Sequence, residues 1–513
     1  MQKRNVLYVM TDQHKADCTG YEGHPDAKTP HLDRLAATGT AFRHSYTANP
    51  ICTPTRVSIL SGQYCHNHGY FGLGGPTPGY GPGHPAKLPT FLGHFRSHGY
   101  RTAALGKLHL PDEPVDWGRE DCDLYMPLQW RQSDGQSYLT YLKQHGYADD
   151  HDAEYLAEHR DQGNCAIDAR PSNLPFEHSV EGYTNRHAID FIDRAARDGK
   201  PFCMEVSYFR PHQVYTPDQR FWDLYDDDID LPPGALDDLN PDRPPHFRKT
   251  VESTRQTRGL LQPDDPESRM RRVWRGYLAS ISHCDHAVGE LLDHLDKTGL
   301  ADNTIVVYHS DHGAYSGTFG INEKAPGICS EAVCRVPMLW RVPGMTQPGH
   351  VSPALTHTVD LAPTFACLCG LPAMQTVDGE DLTPLLRGDD DATVRDVAVT
   401  EHPWSKSLRW KQWRFVHYQP EMFDADVGEL YDIDSDPLET TNLYHDPASQ
   451  DVVNECRRRL LEWLIATTRI VTSLPVVPPE SGPFTHATAP DGRLRRDNNP
   501  HAAHASGGTL NYL

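Results

Sequence analysis

Four short apolar runs have the length and composition of buried β-strands, and helix-like segments separate them along the 513-residue chain. The runs cover residues 5–10, 102–105, 202–208 and 304–308. Because strands that alternate with helices pair mainly in parallel, this feature restricts the possible folds more than any other. It predicts an α/β fold with a large, mostly parallel sheet flanked by helices.

Polar residues follow each of these runs within a few positions. They are Asp12 and Gln13, Lys107 and His109, His212, and finally Asp311 and His312. In open α/β sheets, ligands bind outside the carboxyl ends of the strands. The four strand ends therefore predict one site at one edge of the sheet.

The composition is that of a soluble globular protein, with 38% hydrophobic and 23% charged residues. A formal net charge of −22 argues against nucleic acid or an anionic membrane as the main partner. A small anionic substrate remains compatible with this charge, because a few local cations can dominate a pocket.

The sequence before Asp12 is too short for a signal-peptide core or a membrane span, and no other apolar run has spanning length. Twelve cysteines without an export signal are typical of reduced thiols. We therefore expect a cytoplasmic protein.

The character of the chain changes at about residue 395, where short strand-like pieces follow one another closely. These pieces (VAVTE, SLRWKQWRFVHY and GELYDI) predict a small antiparallel sheet, and a helix is predicted over 449–468. The predicted organisation is a catalytic α/β domain at 1–390, with an insertion at about 111–175, and a small C-terminal α+β subdomain at 391–474. A tail at 475–513 is rich in Pro, Gly, His and Asn.

The segment from Ile51 to Gly62, ICTPTRVSILSG, carries the most specific motif. Pro54 suits a first helical turn, so Cys52 is predicted at a helix N-terminus, where free N–H groups and the helix dipole favour an anion. Arg56 adds a fixed cation with several donors for sulfate or phosphate oxygens.

The motif resembles that of the sulfatase family, part of the alkaline-phosphatase-like superfamily. The family hallmark is Cys-x-Pro-x-Arg followed by Leu-x-Gly, and it is matched at Cys52, Pro54, Arg56, Leu60 and Gly62. The resemblance extends over roughly residues 4–445 through the segments ALGKLHL, VDLAPTFACLCGLP and ELYDIDSDPLETTNL. It implies a sulfuric ester hydrolase in which a separate maturation enzyme oxidises Cys52 to formylglycine, whose hydrated aldehyde is the nucleophile.

The resemblance also implies a metal site. Asp12, Gln13, Asp311 and His312 match the family's metal-ligand positions, with residue 52 beside them. The commonest family pattern has Asp at position 13 and Asn at position 312. These departures leave the divalent metal between Ca²⁺, which is favoured, and Mn²⁺.

Four further residues match family positions that act on the sulfate ester. Lys107 and His109 correspond to a pair that contacts the sulfate and the formylglycine hydroxyls, and Lys324 to a second sulfate-binding lysine. His212 matches the histidine that faces the leaving-group oxygen. The implied mechanism is in-line attack on sulfur, proton donation by His212, and release of sulfate after His109 removes a proton.

Two other functions stay open at this point. A phosphonate monoester or phosphodiester hydrolase on the same fold is favoured by Gln13 and His312, whereas the Gly106-Lys107-Leu-His109 element counts against it. A non-catalytic, sulfatase-like binding protein would not need every motif residue.

The alcohol part of the substrate is not determined by the sequence and could be a sugar, an aryl group or an alkyl chain. The insertion at 111–175 has the aromatic and acidic content of a substrate-defining segment, although its aromatic residues could equally pack the insertion itself. The tail ends in an apolar-aromatic tip, which predicts an arm across the interface of a homo-oligomer.

Overall fold

The computed structural model describes most of the chain. The described residues are 3–73, 88–110, 120–128, 138–151, 169–232, 234–235, 243–249, 252, 266–321, 324, 328–389, 392–420, 423 and 425–469. The predicted tail at 475–513 and much of the predicted insertion lie outside them. The proposed arm and its homo-oligomer therefore stay predictions, as do the domain boundaries.

An eight-stranded sheet forms the centre of the molecule, with the strand order β4-β3-β5-β1-β6-β7-β2-β8. Seven strands run parallel, and β7 runs antiparallel to both of its neighbours. The strands are β1 Asn5–Thr11, β2 Thr40–Tyr46, β3 Arg101–Gly106, β4 Leu124–Pro127, β5 Phe202–Ser207, β6 Thr304–Ser310, β7 Met338–Arg341 and β8 His350–His357.

Helices cover both faces of this sheet, which explains why its central strands are apolar throughout. In β1, Tyr8 and Met10 pack on one face and Leu7 and Val9 on the other, as the alternation of a strand requires. The helices are α1 Pro30–Thr38, α2 Cys52–Ser61, α3 Cys65–His68, α4 Phe91–Ser97, α5 Tyr138–His145, α6 Val180–Arg197, α7 Gln219–Trp222, α8 Pro266–Thr298, α9 Glu331–Cys334, α10 Leu361–Leu368, α11 Thr383–Leu386 and α12 Gln450–Thr467. Helices α2, α4, α10 and α11 pack on the Tyr8 face, and α1, α6 and α8 on the Leu7 face.

A four-stranded antiparallel sheet follows in the order β12-β11-β10-β9. Its strands are β9 Ala398–His402, β10 Ser405–Trp410, β11 Trp413–Tyr418 and β12 Gly428–Asp432. Leu408 and Phe415 of this sheet pack against Leu460 and Trp463 of α12. The same cluster includes Tyr64, so the small sheet contacts the region just after α2.

The predicted fold class is confirmed. All four predicted strands are present as β1, β3, β5 and β6, and the small antiparallel sheet and its helix lie where they were expected. No helix among the described residues is long and apolar enough to cross a membrane.

Candidate active site

The ends of two neighbouring strands bring four predicted ligand residues together. Strands β1 and β6 are adjacent and parallel, and Thr11 pairs with Ser310 at their carboxyl ends. The residues that follow therefore lie side by side. The Gln13 N–H donates to Asp311 Oδ1 at 3.1 Å, and the His312 N–H donates to the same oxygen at 2.8 Å.

Cys52 meets this pair of strand ends at the first residue of α2, as predicted. Its Sγ lies 3.3 Å from His312 Nε2 and 3.8 Å from Asp12 Oδ1. One ligand atom from each of Asp12, Cys52, Asp311 and His312 lies within 4.8 Å of all the others. All four residues are buried, so the structure forms one compact cluster from segments about 40 and 260 residues apart.

Arg56 fixes the two carboxylates of this cluster. Its Nε donates to Asp311 Oδ2 at 3.0 Å, and its second terminal nitrogen lies 3.0 Å from Asp12 Oδ2 and 2.8 Å from Asp311 Oδ2. The remaining nitrogen donates to Ser207 Oγ at 2.8 Å and to the Lys107 carbonyl oxygen. Since all three guanidinium nitrogens face protein acceptors, Arg56 is placed to orient carboxylates. That Arg56 also offers donors to sulfate oxygens stays a prediction.

Lys107 enters the site from the end of β3. Its Nζ lies 2.6 Å from Asp12 Oδ2, and its own N–H donates to the Ser207 carbonyl oxygen at 2.9 Å. The preceding residue has to be glycine. Gly106 has a φ of +92°, and a Cβ there would lie 2.0 Å from the Ser207 carbonyl oxygen. The Gly-Lys element therefore brings the main chain of Lys107 close to β5.

His212 follows β5 and is half-buried. Its Nδ1 lies 2.6 Å from the Gln213 carbonyl oxygen. Because a carbonyl oxygen can only accept, Nδ1 carries the hydrogen, and Nε2 is the nitrogen available to a substrate. Burial and the charges of Lys107 and Lys324 hold the pKa of His212 well below its usual value, against the opposing effect of Asp12.

Lys324 and His109 are less buried than the residues of the cluster. Lys324 is half-buried, and its charge is near enough to Cys52 and His212 to lower the pKa of both. His109 is exposed, and its carbonyl oxygen accepts a hydrogen bond from Thr53 Oγ1 of α2 at 2.9 Å. Among the described residues its imidazole contacts neither Cys52 nor a metal-ligand residue. The side chain of His109 thus lies at the rim of the cluster.

Cys52 lies in an electropositive environment despite its burial. Burial raises the pKa of its thiol, and Asp12 raises it further. The nearby charges of Lys324, Lys107 and His312 outweigh both and place the pKa well below its usual value. The charge balance at this helix N-terminus therefore favours an anion.

The donors of the cluster fit a divalent cation. Within the described part of the chain, both side-chain polar atoms of Gln13 are buried without a hydrogen-bond partner, and Gln13 has a left-handed φ of +67°. A buried amide without partners is costly, which points to a ligand that the protein itself does not supply. His312 Nδ1 faces the Gly313 carbonyl oxygen at 2.8 Å, so its Nε2 is the ring nitrogen that faces the cluster. Carboxylate, amide and imidazole groups together are common metal ligands.

Two residues near the site were not predicted from the sequence. Ser207 accepts from Arg56, and the ring of Phe209 lies beside Lys107. Both stand at the carboxyl end of β5, so the rule that ligands gather at strand ends could have included them. The sequence contains no motif that marks either residue.

Comparison with known proteins gives the class of this protein. The chain belongs to the sulfatase family, because the family model described as Sulfatase matches residues 4–371. A second model, described as N-sulphoglucosamine sulphohydrolase, C-terminal, matches residues 327–465.

Individual relatives agree with this family. The choline-sulfatase of Rhizobium meliloti (strain 1021) is 28% identical over 458 residues, covering 87% of this chain and 83% of the relative. The ulvan-active sulfatase of Formosa agariphila is 29% identical over 471 residues, covering 89% and 80%. The solved phosphonate monoester hydrolase from Silicibacter pomeroyi shares the fold with a TM-score of 0.74 at 23% identity, covering 91% of this chain and 96% of that one. The chain is thus a sulfuric ester hydrolase of the alkaline-phosphatase-like superfamily, which confirms the predicted enzyme class.

Proposed function

We propose that this chain hydrolyses the sulfate ester of an alcohol to inorganic sulfate, with its nucleophile at position 52. The observation that carries the proposal is the position of Cys52, whose Sγ lies at a helix N-terminus and within 3.8 Å of both Asp12 and His312. A structural cysteine would need neither the two buried carboxylates nor the lysines that surround it.

Asp12, Gln13, Asp311 and His312, together with residue 52, are proposed to hold one divalent cation. Oxygen donors predominate, which favours Ca²⁺, and the imidazole of His312 makes Mn²⁺ the alternative. A bound cation would supply Lewis acidity toward a sulfate oxygen and the nucleophile. The protein's part is to keep the donors in place, and Arg56 does this for both carboxylates.

Formylglycine, produced from Cys52 by a separate maturation enzyme, would supply a hydrated aldehyde with one hydroxyl for attack and a second for release of sulfate. The surroundings of position 52 suit such an anionic nucleophile, because N–H groups of α2 and the charges of Lys107 and Lys324 converge there.

Lys107 and Lys324 are proposed to bind the remaining sulfate oxygens. Lys107 Nζ is held by Asp12 at 2.6 Å, so among the described residues one of its hydrogens is engaged and the others are proposed to serve the substrate. Lys324 lies near enough for its charge to lower the pKa of Cys52. Two fixed ammonium groups lessen the repulsion between a sulfate ester and an anionic nucleophile.

His212 is proposed to protonate the departing alcohol through Nε2, since Nδ1 is occupied by the Gln213 carbonyl group. The bound sulfate ester brings a negative charge that offsets the effect of the two lysines and favours the protonated imidazole. His109, at the rim, is proposed to remove the proton of the second hydroxyl. This role requires its side chain to turn toward position 52.

Mass spectrometry of the tryptic peptide that contains position 52 tests the nucleophile. Active protein is expected to carry the aldehyde, and active protein with only unmodified cysteine would refute the proposal. A sulfate, a phosphonate monoester and a phosphodiester that share one aryl leaving group then test the reaction on the same preparation. We expect the highest kcat/KM for the sulfate. A higher value for the phosphonate would favour the alternative hydrolase, and no turnover of any ester would favour a binding protein.

A further inference from the structure

Phe209 contacts two residues to which the proposed mechanism gives separate tasks. Lys107 Nζ is 4.8 Å from the centre of the Phe209 ring, within the range of a cation–π contact. The ring of Phe209 also lies 5.0 Å from that of His212, with the two planes tilted by 41°. A single side chain thus contacts both the ammonium group and the imidazole.

The turn that contains Phe209 and His212 is held by a backbone hydrogen bond and by the contacts of Arg210. The His212 N–H donates to the Phe209 carbonyl oxygen at 3.2 Å, which closes the turn. Arg210, between them, donates its N–H to Glu181 Oε1 at 3.1 Å and its guanidinium to the Thr216 carbonyl oxygen at 2.7 Å. It also forms a buried ion pair with Glu181. The backbone is therefore fixed independently of the rings, and removal of the Phe209 ring should leave the turn in place.

Neither of the two partners is fully constrained without Phe209. The flexible side chain of Lys107 is tied to Asp12 at its tip, which still allows the ammonium to swing about that contact. Among the described residues the imidazole of His212 has one hydrogen bond, at Nδ1, which allows its ring to tilt about that bond. The flat face of Phe209 limits both movements, because it excludes water on one side of each group.

We propose that Phe209 is a positioning residue that fixes the side chains of Lys107 and His212 relative to each other. It sets the distance between the sulfate group, bound by Lys107, and the leaving-group oxygen, which receives its proton from His212 Nε2. This inference rests on the proposed function. Nothing in the sulfatase motif marks position 209, so the role belongs to this chain's own geometry.

The consequence is a selective effect on leaving groups. Protonation of the alcohol matters little for a good leaving group and contributes about 10²–10⁴-fold for a poor one. We therefore compare 4-nitrophenyl sulfate with phenyl sulfate, which have similar shapes but leaving groups of different basicity, on the matured, metal-loaded enzyme. For Phe209→Leu, kcat should change by less than about threefold with the nitrophenyl ester and fall about tenfold or more with the phenyl ester. Phe209→Tyr, which keeps the ring, should restore both rates.

Two reference variants make the outcome decisive. Phe221 offers a matched control, because its ring also lies 5.0 Å from a histidine, His283, and 4.9 Å from the cation of Arg220, yet it is not part of the site. Phe221→Leu should leave the ratio of the two rates unchanged, and an equal change there would overturn the proposal. Equal slowing of both esters by Phe209→Leu would overturn it too.

His212→Ala separates this inference from the function on which it rests. A steep dependence on the leaving group in His212→Ala, with none in Phe209→Leu, would refute the role of Phe209 alone. If His212→Ala shows no such dependence, the proposed proton donor is itself wrong.

Discussion

Two buried arginines of this protein have similar partners and different surroundings. The side chains of Arg56, at the end of the large sheet, and Arg414, within the small sheet, are each 1% exposed. Each arginine pairs with two buried carboxylates, Asp12 and Asp311 in the first case and Glu429 and Glu439 in the second.

The two pairs of carboxylates differ in the other groups that lie around them. Around Arg414 the protein supplies further partners, since Tyr431 donates to Glu429 at 2.8 Å, Tyr418 donates to its other oxygen, and Arg414 donates to the Cys329 carbonyl group. Around Arg56 there is a second cation, Lys107, and beside it the Gln13 amide has no partner among the described residues. The carboxylates around Arg414 are paired by an arginine and two tyrosines, whereas the Arg56 side of the comparison includes a buried amide that is left for a ligand.

The largest expected effect concerns the proposed nucleophile at position 52, beside Arg56. Cys52→Ala should lower kcat by about 10⁴-fold or more, as does removal of other covalent nucleophiles. Its melting temperature should stay within a few degrees of the original value, because one small buried side chain replaces another. Steady-state kinetics and thermal denaturation on the same sample check this. Substantial turnover by the alanine variant would remove position 52 from the mechanism.

The second effect concerns the metal. Dialysis against a chelator should abolish turnover, and Ca²⁺ or Mn²⁺ should restore it. Asp311→Ala should lower kcat/KM more than Gln13→Ala, because it deletes a charge as well as a donor. Elemental analysis alongside kinetics checks both variants. Full activity in metal-free protein, or a greater loss with Gln13→Ala, would contradict the assignment.

The third effect concerns the stability that Arg414 contributes to the small sheet. Arg414→Met leaves Glu429 and Glu439 buried without their cation and should lower the free energy of unfolding by about 3–5 kcal/mol. The kcat/KM of the folded fraction should remain unchanged, since Arg414 contacts no residue of the Cys52 cluster. Chemical denaturation gives the first quantity and active-site-normalised kinetics the second. A tenfold loss of kcat/KM would show that the two clusters are coupled.

The smallest effect depends on pH. Burial, only partly opposed by Arg56, raises the pKa of Glu205 to about 7. Because the folded state then binds a proton more tightly than the unfolded state, the stability contributed by Glu205 is complete below its ordinary pKa and is lost as the pH rises through about 7. Between pH 5.5 and 7.5 this loss should amount to about 2 kcal/mol. Glu205→Gln should remove that slope in denaturation measured at several pH values. An unchanged slope would show that Glu205 is ionised throughout.

Much of the site could be predicted because its residues follow strands or begin a helix. The apolar runs at β1 and β6 and the proline of the Cys52 motif are local signals, and they place Asp12, Cys52 and Asp311 at one edge of the sheet. Strands β2, β4, β7 and β8 were not predicted, because they are shorter or more polar and their pairing depends on distant partners.

The contacts that complete the site and its surroundings depend on residues far apart in the chain. Arg56 reaches Asp311, 255 residues away, and a pattern of neighbours cannot show that its donors are all engaged. The start of α1 shows the same limit. Thr29 before Pro30 has the local pattern of a residue that caps a helix, but the contacts are different. Its hydroxyl donates to Asp33, and the first N–H groups of the helix are accepted by Asp285, more than 250 residues later.

The central place of β1 in the large sheet also bears on how the chain acquires its structure during synthesis. Strand β1 pairs with β5 and β6, whose residues are made about 200 and 300 positions after its own. Both edges of β1 are open until β5 is made, and one edge stays open until β6 is made. An apolar strand with an open edge is prone to aggregate. Such long-range pairing also slows folding. Nascent chains that stop before residue 304 should therefore need protection by chaperones, because β1 gains its second neighbour only with β6.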